Sequence, residues 1–174
     1  MSDYTHDVTR IKKAIEKYEI DLTPPVSKEA IKQFEEKYKI ELPKDLVFFY
    51  TEISNGIEGV HELVPFEKWE DWEESWNDHG IDPELIIKEF PFEDDWIWEN
   101  DEHPLPREKY ESVSYGNFPL IDLGCGMSCN IIVTGREKGI MWHFADVGIH
   151  PSEPKVGFLG WLADLLETDY DLFW

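Results

Sequence analysis

The 37 residues from 66 to 102 constrain this chain more than any other stretch. They carry 15 acidic side chains against two basic ones, Lys68 and Lys88, for a net charge of −13. They also hold five of the eight tryptophans: Trp69, Trp72, Trp76, Trp96 and Trp98. Disordered polyanionic segments are poor in aromatics, so a solvated acidic tail does not account for this composition. The expected arrangement is a folded segment that turns rings inward and carboxylates outward. The fold must therefore offer apolar surface for these rings to cover.

The remaining segments are milder, with 13 acids and 9 bases over residues 1–65 and 10 and 5 over residues 103–174. In total 38 acids face 16 bases, a formal charge of −22. Such a field repels phosphate backbones and anionic membrane surfaces and attracts basic ones, which argues against direct nucleic-acid or membrane binding. The longest apolar run, Leu46 to Tyr50, is far too short to span a bilayer. The first residues have neither a basic n-region nor an apolar h-region, so no export signal is expected. Two cysteines, Cys125 and Cys129, cannot build a disulfide framework, and the expectation is a reduced, cytoplasmic, soluble protein. A length of 174 residues without repeats or linkers reads as a single domain over 1–174, with 66–102 as an insertion-like segment.

Periodicity orders the elements. Val8, Ile11, Ile15 and Tyr18 recur at helical spacing and predict a helix over 7–18. Thr23-Pro24-Pro25 ends it, and Ser27 is a candidate N-cap for a second helix burying Ile31, Phe34 and Tyr38. Leu42-Pro43 opens a third, with proline at its first position and Leu46, Phe49, Tyr50 and Ile53 inward, closed by Asn55-Gly56. Residues 60–64 read as a short strand. Trp69, Trp72 and Trp76 fall on one helical stripe, Asp82-Pro83 predicts a short helix through Ile87, and Trp96 to Trp98 a strand. Three apolar runs, 118–123, 130–134 and 140–144, are separated by Gly124-Cys125-Gly126 and by residues 135–139, both good hairpin connections. Phe158, Trp161, Leu162, Leu165 and Leu166 define a last amphipathic helix, with Trp174 as a terminal anchor. Helices, then an antiparallel sheet, then a closing helix make an α+β domain.

The joints of this order resemble the SUKH superfamily, named partly for yeast cell-wall-assembly regulators. Leu42-Pro43-Lys44-Asp45-Leu46, running through Phe49 to Asn55-Gly56, is similar to the family's Leu-Pro, aromatic helix and terminal Asn-Gly. Phe118 to Leu123 followed by Gly124 and Gly126 resembles its apolar strand and glycine-bearing turn, and Phe158 to Leu162 its closing helix. The resemblance covers residues 27–64 and 116–168. It departs at the turn, often acidic in the family, where this chain has Cys125 and Met127. In bacteria the resemblance implies a non-catalytic immunity protein that neutralises a cognate toxin, frequently a nuclease. In fungi it implies a signalling or assembly scaffold.

Candidate chemistry is sparse. Carboxylate pairs near tryptophan are what a glycosidase uses, but general acid catalysis needs a shielded carboxyl with a raised pKa. Here the acids come in runs such as Glu93-Asp94-Asp95, the pattern of an exposed face. His143, Asp146 and His150 match no tight ligand spacing; His143 reads as a sheet-face residue and His150 as a loop residue before Pro151. Cys125 and Cys129 read as buried, inert thiols. No catalytic residue, metal or cofactor is therefore expected. The expected function is an immunity protein whose acidic face blocks a basic toxin, a nuclease above all, with a scaffold domain as the alternative and a carbohydrate enzyme third. The contact surface expected from charge and aromatic content is Trp72, Glu73, Glu74, Trp76 and Asp78, then Glu93, Asp94 and Asp95.

Overall fold

The computed structural model describes residues 4–59, 62–70 and 80–168. Its element order is α1 (Thr5–Lys17), α2 (Lys28–Tyr38), α3 (Lys44–Glu52), α4 (Arg107–Glu111), β1 (Asn117–Gly124), β2 (Met127–Ile132), β3 (Met141–Ala145), β4 (Gly148–Pro151) and α5 (Phe158–Glu167). The strands form one antiparallel sheet in sequence order, and the α+β class stands.

Local chemistry explains the element ends. Ser27 caps α2, its hydroxyl accepting from the Ala30 amide at 3.1 Å. Pro43 is the cap residue of α3 rather than its first helical residue, one position short of the sequence expectation. The β1–β2 hairpin turns through Cys125 (φ 52°) and Gly126 (φ 76°). Two successive left-handed residues are what a two-residue hairpin turn requires, because that twist matches the strands it joins.

Period-two alternation splits the sheet between two apolar layers. Ile131 and Met141 point to one face, where they join Phe34, Leu46, Phe49, Tyr50 and Leu162 from the helices. Ile132, Trp142, Phe144 and Ile149 point to the other, where Phe90, Trp96, Trp98 and Val113 cover them. The part of the acidic window from Phe90 to Trp98 is thus the sheet's second cover, rings inward as its composition demanded. Single bridges widen the sheet at both edges: Leu63 pairs with Ile121 beside β1, and Trp96 with Ile149 beside β4.

Three local expectations are corrected here. After Asp82-Pro83 the chain makes turns over 83–87 and no helix, although the Asp82 carboxylate accepts from the Glu84 and Leu85 amides as an N-cap does. Trp96 makes one bridge and no strand, and Trp98 begins a 3₁₀ turn over Trp98–Asn100. His150 lies within β4, a strand too short and too mixed to show in the sequence. The expected strand at 60–64 is seen only in Leu63, since Val60 and His61 lie outside the described residues, as does Trp174.

The Leu-Pro-Lys-Asp run has a long-range role. Asp45, in the first turn of α3, accepts from the Leu46 amide at 3.0 Å and the Leu159 amide at 3.4 Å, and so caps α5. Gly157 leaves the space for it, since a Cβ there would stand 2.5 Å from Asp45 Oδ2. Burial pushes the Asp45 carboxyl above the usual range, partly offset by these amide donors. Asp45→Ala is expected to lower the unfolding free energy by about 1–2 kcal/mol in urea titrations. Asp45→Asn, which keeps an accepting oxygen without the charge, is expected to cost clearly less. Equal losses in the two variants would show that the cap is not what Asp45 contributes.

Candidate protein-interaction surface

The described acidic window is built from the inside out. Phe90 meets the buried Trp142 edge-on at 4.9 Å, Phe92 stacks on Trp96 at 5.5 Å, and Trp96 meets Trp98 at 5.2 Å. The indole N–H groups are satisfied: Trp96 donates to Asp101 at 2.7 Å and Trp98 to the Asp146 carbonyl at 2.8 Å. These contacts leave the side chains of Glu89, Asp94, Asp95, Glu99 and Glu102 pointing to solvent.

Basic residues of the sheet side pin this loop. Arg136 pairs with Glu93 at 2.8 Å, and Lys155 donates to the Glu93 carbonyl while its ammonium lies 3.0 Å from the buried Glu137. Lys109 stands 4.0 Å over the Trp96 ring. Glu93, expected as a contact residue, is exposed, as is the Arg136 it pairs with. Asp94 and Asp95 are exposed as expected. Trp72, Glu73, Glu74, Trp76 and Asp78 lie outside the described residues. Trp69, first of the expected stripe, is a core residue, 1% exposed, donating from its indole N–H to the Val64 carbonyl at 3.3 Å.

A second acidic surface, not singled out from sequence, lies at the other edge of the sheet. Two adjoining clefts of about 390 and 490 Å³ share Glu62, Pro65 and Lys68 and are flanked by Glu58, Glu67 and Asp122. Asn55 sets one wall. Its amide donates to Glu67 at 2.7 Å and its carbonyl oxygen accepts from the Phe66 amide at 2.8 Å. That donor holds the Glu67 carboxyl below its ordinary value. Gly56 (φ 89°) makes the approach possible, because a Cβ there would come within 2.4 Å of the Leu63 carbonyl oxygen. The Asn55-Gly56 pair was legible as a helix terminator. Its role in holding Glu67 depends on a contact 12 residues away.

The other candidate groups are distributed differently from expectation. Cys129 is buried, and burial pushes its thiol up to about 12, whereas Cys125 is exposed at the hairpin tip, against the expectation that both are buried. His143 stacks on His150 at 4.7 Å. Among the described residues no group of three or more His, Cys, Asp or Glu side chains is placed to hold a metal ion, and no helix is long and apolar enough to cross a membrane.

The arrangement offers outward carboxylates on a rigid aromatic base, which suits electrostatic capture of a basic surface. Comparison with known proteins finds that residues 25–156 match the SMI1 / KNR4 family (SUKH-1). No curated protein and no solved structure matches the chain. The match ends before α5, although Phe158, Leu159, Leu162 and Ala163 of that helix are part of the main core.

Proposed function

The chain belongs to the SMI1 / KNR4 family (SUKH-1), and on that premise we propose that it is a non-enzymatic immunity protein that binds and neutralises a cognate basic toxin, a nuclease above all, in the cytoplasm. The observation that carries this reading is the two-sided build of the acidic window. Phe90, Trp96 and Trp98 are buried against the sheet while Asp94 and Asp95 face solvent on the same stretch of chain. A nuclease must present a cationic groove to phosphates, and a partner of charge −22 is drawn to that groove. Charge complementarity raises association rate most, which is what an inhibitor of a lethal enzyme needs. The same field disfavours a nucleic acid or an anionic membrane as direct partner. Stacking of a sugar on these tryptophans is disfavoured, because Trp69, Trp96 and Trp98 have their rings in the core.

The test is co-expression with toxins encoded beside the gene, followed by pull-down and a growth assay. The expected result is a stoichiometric complex with one toxin, restored growth, and loss of that toxin's activity in the purified complex. Capture of signalling proteins with no toxin neutralised would replace this reading by the scaffold one.

A further inference from the structure

Cys129, His143 and His150 occupy one cross-strand row on β2, β3 and β4. The imidazoles of His143 and His150 lie nearly parallel, 4.7 Å between centroids and 19° between planes. Both nitrogens of the His143 ring are engaged: Nδ1 is 3.4 Å from Cys129 Sγ and Nε2 is 3.3 Å from Ser152 Oγ. His143 is largely buried and His150 is exposed. Burial, and then the neighbouring His150, hold the His143 imidazole down at about 4, so it is neutral at pH 7.

The titratable groups facing this ring include the Cys129 thiol from β2 and His150 from β4, and Ser152 adds a neutral hydroxyl. Glu137 and Lys155 pack instead on Trp142, whose side chain alternates to the opposite face, and Asp146 is exposed at the β3–β4 turn. β4 is also the attachment of the acidic cover. Trp96 and Ile149 exchange both backbone hydrogen bonds, each at 2.9 Å, and the Glu99 amide donates to the Val147 carbonyl beside them.

We propose that the stacked His143–His150 pair is an acid-sensitive latch on the β3–β4 hairpin, whose protonation releases β4 together with the acidic segment bridged to it at Trp96. The latch rests on the pair's geometry and not on the toxin reading. Charge on His143 places a cation in a partly buried site, face to face with a second imidazole, where water cannot hydrate it fully. The direction follows from linkage. A histidine whose folded pKa lies below its unfolded value near 6.5 supports the closed form fully above that value, and this support is lost as pH falls toward 4. Between pH 7 and pH 5 the open form of the hairpin therefore gains on the order of 20-fold relative to the closed one. Elsewhere in so acidic a protein, protonation relieves self-repulsion, so loosening confined to one hairpin runs against the trend of the rest.

Amide-resolved hydrogen exchange on the full chain, corrected for intrinsic rates, tests this. The opening equilibrium at the Ile149 and Trp96 amides is expected to rise about 20-fold from pH 7 to pH 5. The Ile53 amide at the end of α3, bonded to Phe49, is expected to stay protected. His143→Gln removes the titrating group and is expected to abolish the rise, and His150→Asn removes the stacked imidazole and is expected to reduce it. If His143→Gln does not fold, His150→Asn carries the comparison. An equal rise at Ile53, no rise in the wild type, or an undiminished rise in the folded variants would overturn the latch.

Discussion

Trp69→Ala is expected to lower the unfolding free energy by about 3–5 kcal/mol, the usual cost of emptying a large buried aromatic site. Trp69 is 1% exposed and sits where helices, sheet and acidic window meet. Its ring meets Tyr50 at 4.8 Å, Phe66 at 5.0 Å and Phe34 at 5.4 Å, all edge-on, and lies tilted on Phe118 at 5.1 Å. Tyr50, the nearest of these rings, is held in place by its hydroxyl donating to the Val64 carbonyl at 2.6 Å, which limits its movement into the space. Domains of this size are stable by about 5–15 kcal/mol, so the variant is expected to keep only part of its folding margin. Urea denaturation monitored by circular dichroism measures the loss, and Trp69→Phe should recover much of it. A loss below about 1 kcal/mol for the alanine variant would mean that the cavity collapses and that Trp69 does not organise the junction.

Reversing Glu73, Glu74, Asp78, Asp94 and Asp95 to lysine is expected to slow association with the basic partner by roughly 10- to 100-fold at low salt. Five reversals move the formal charge by ten units, from −22 to −12. The salt dependence should flatten as well, because screening acts on the charges that steer the encounter. An equal set on the exposed helical side, Glu16, Glu19, Asp21, Glu29 and Glu36, changes the net charge identically and places the change elsewhere. Stopped-flow association at two ionic strengths separates the cases. Slowing confined to the first set places the contact on the window. Equal slowing in both sets would leave net charge as the cause, and unchanged kinetics in the first set would remove the window as the contact surface.

The sequence by itself determined the elements whose side chains repeat with the period of their own backbone. Ile31, Phe34 and Tyr38 recur at helical spacing and are buried along α2, and Ser27 caps it as its position required. Gly126 follows Cys125 at the hairpin tip because a two-residue turn needs left-handed residues, a demand the sequence states openly. Composition also anticipated that the described part of the acidic window, 80–102, packs its rings inward, since its aromatic content exceeds what a solvated tail carries. Tertiary structure decided which partner each group met. Asp45 caps a helix 114 residues away, Glu93 pairs with Arg136 across 43 residues, and Trp96 completes β4 by bridging Ile149. β4 itself, four residues with one histidine and a closing Pro151, has no periodic signature and exists through its pairing with β3. Periodicity reports which face of an element is buried, because that depends on geometry within a few residues. Whether a carboxylate stays free, binds a guanidinium or caps a helix depends on chain segments brought together only by packing, and no local pattern encodes that distance.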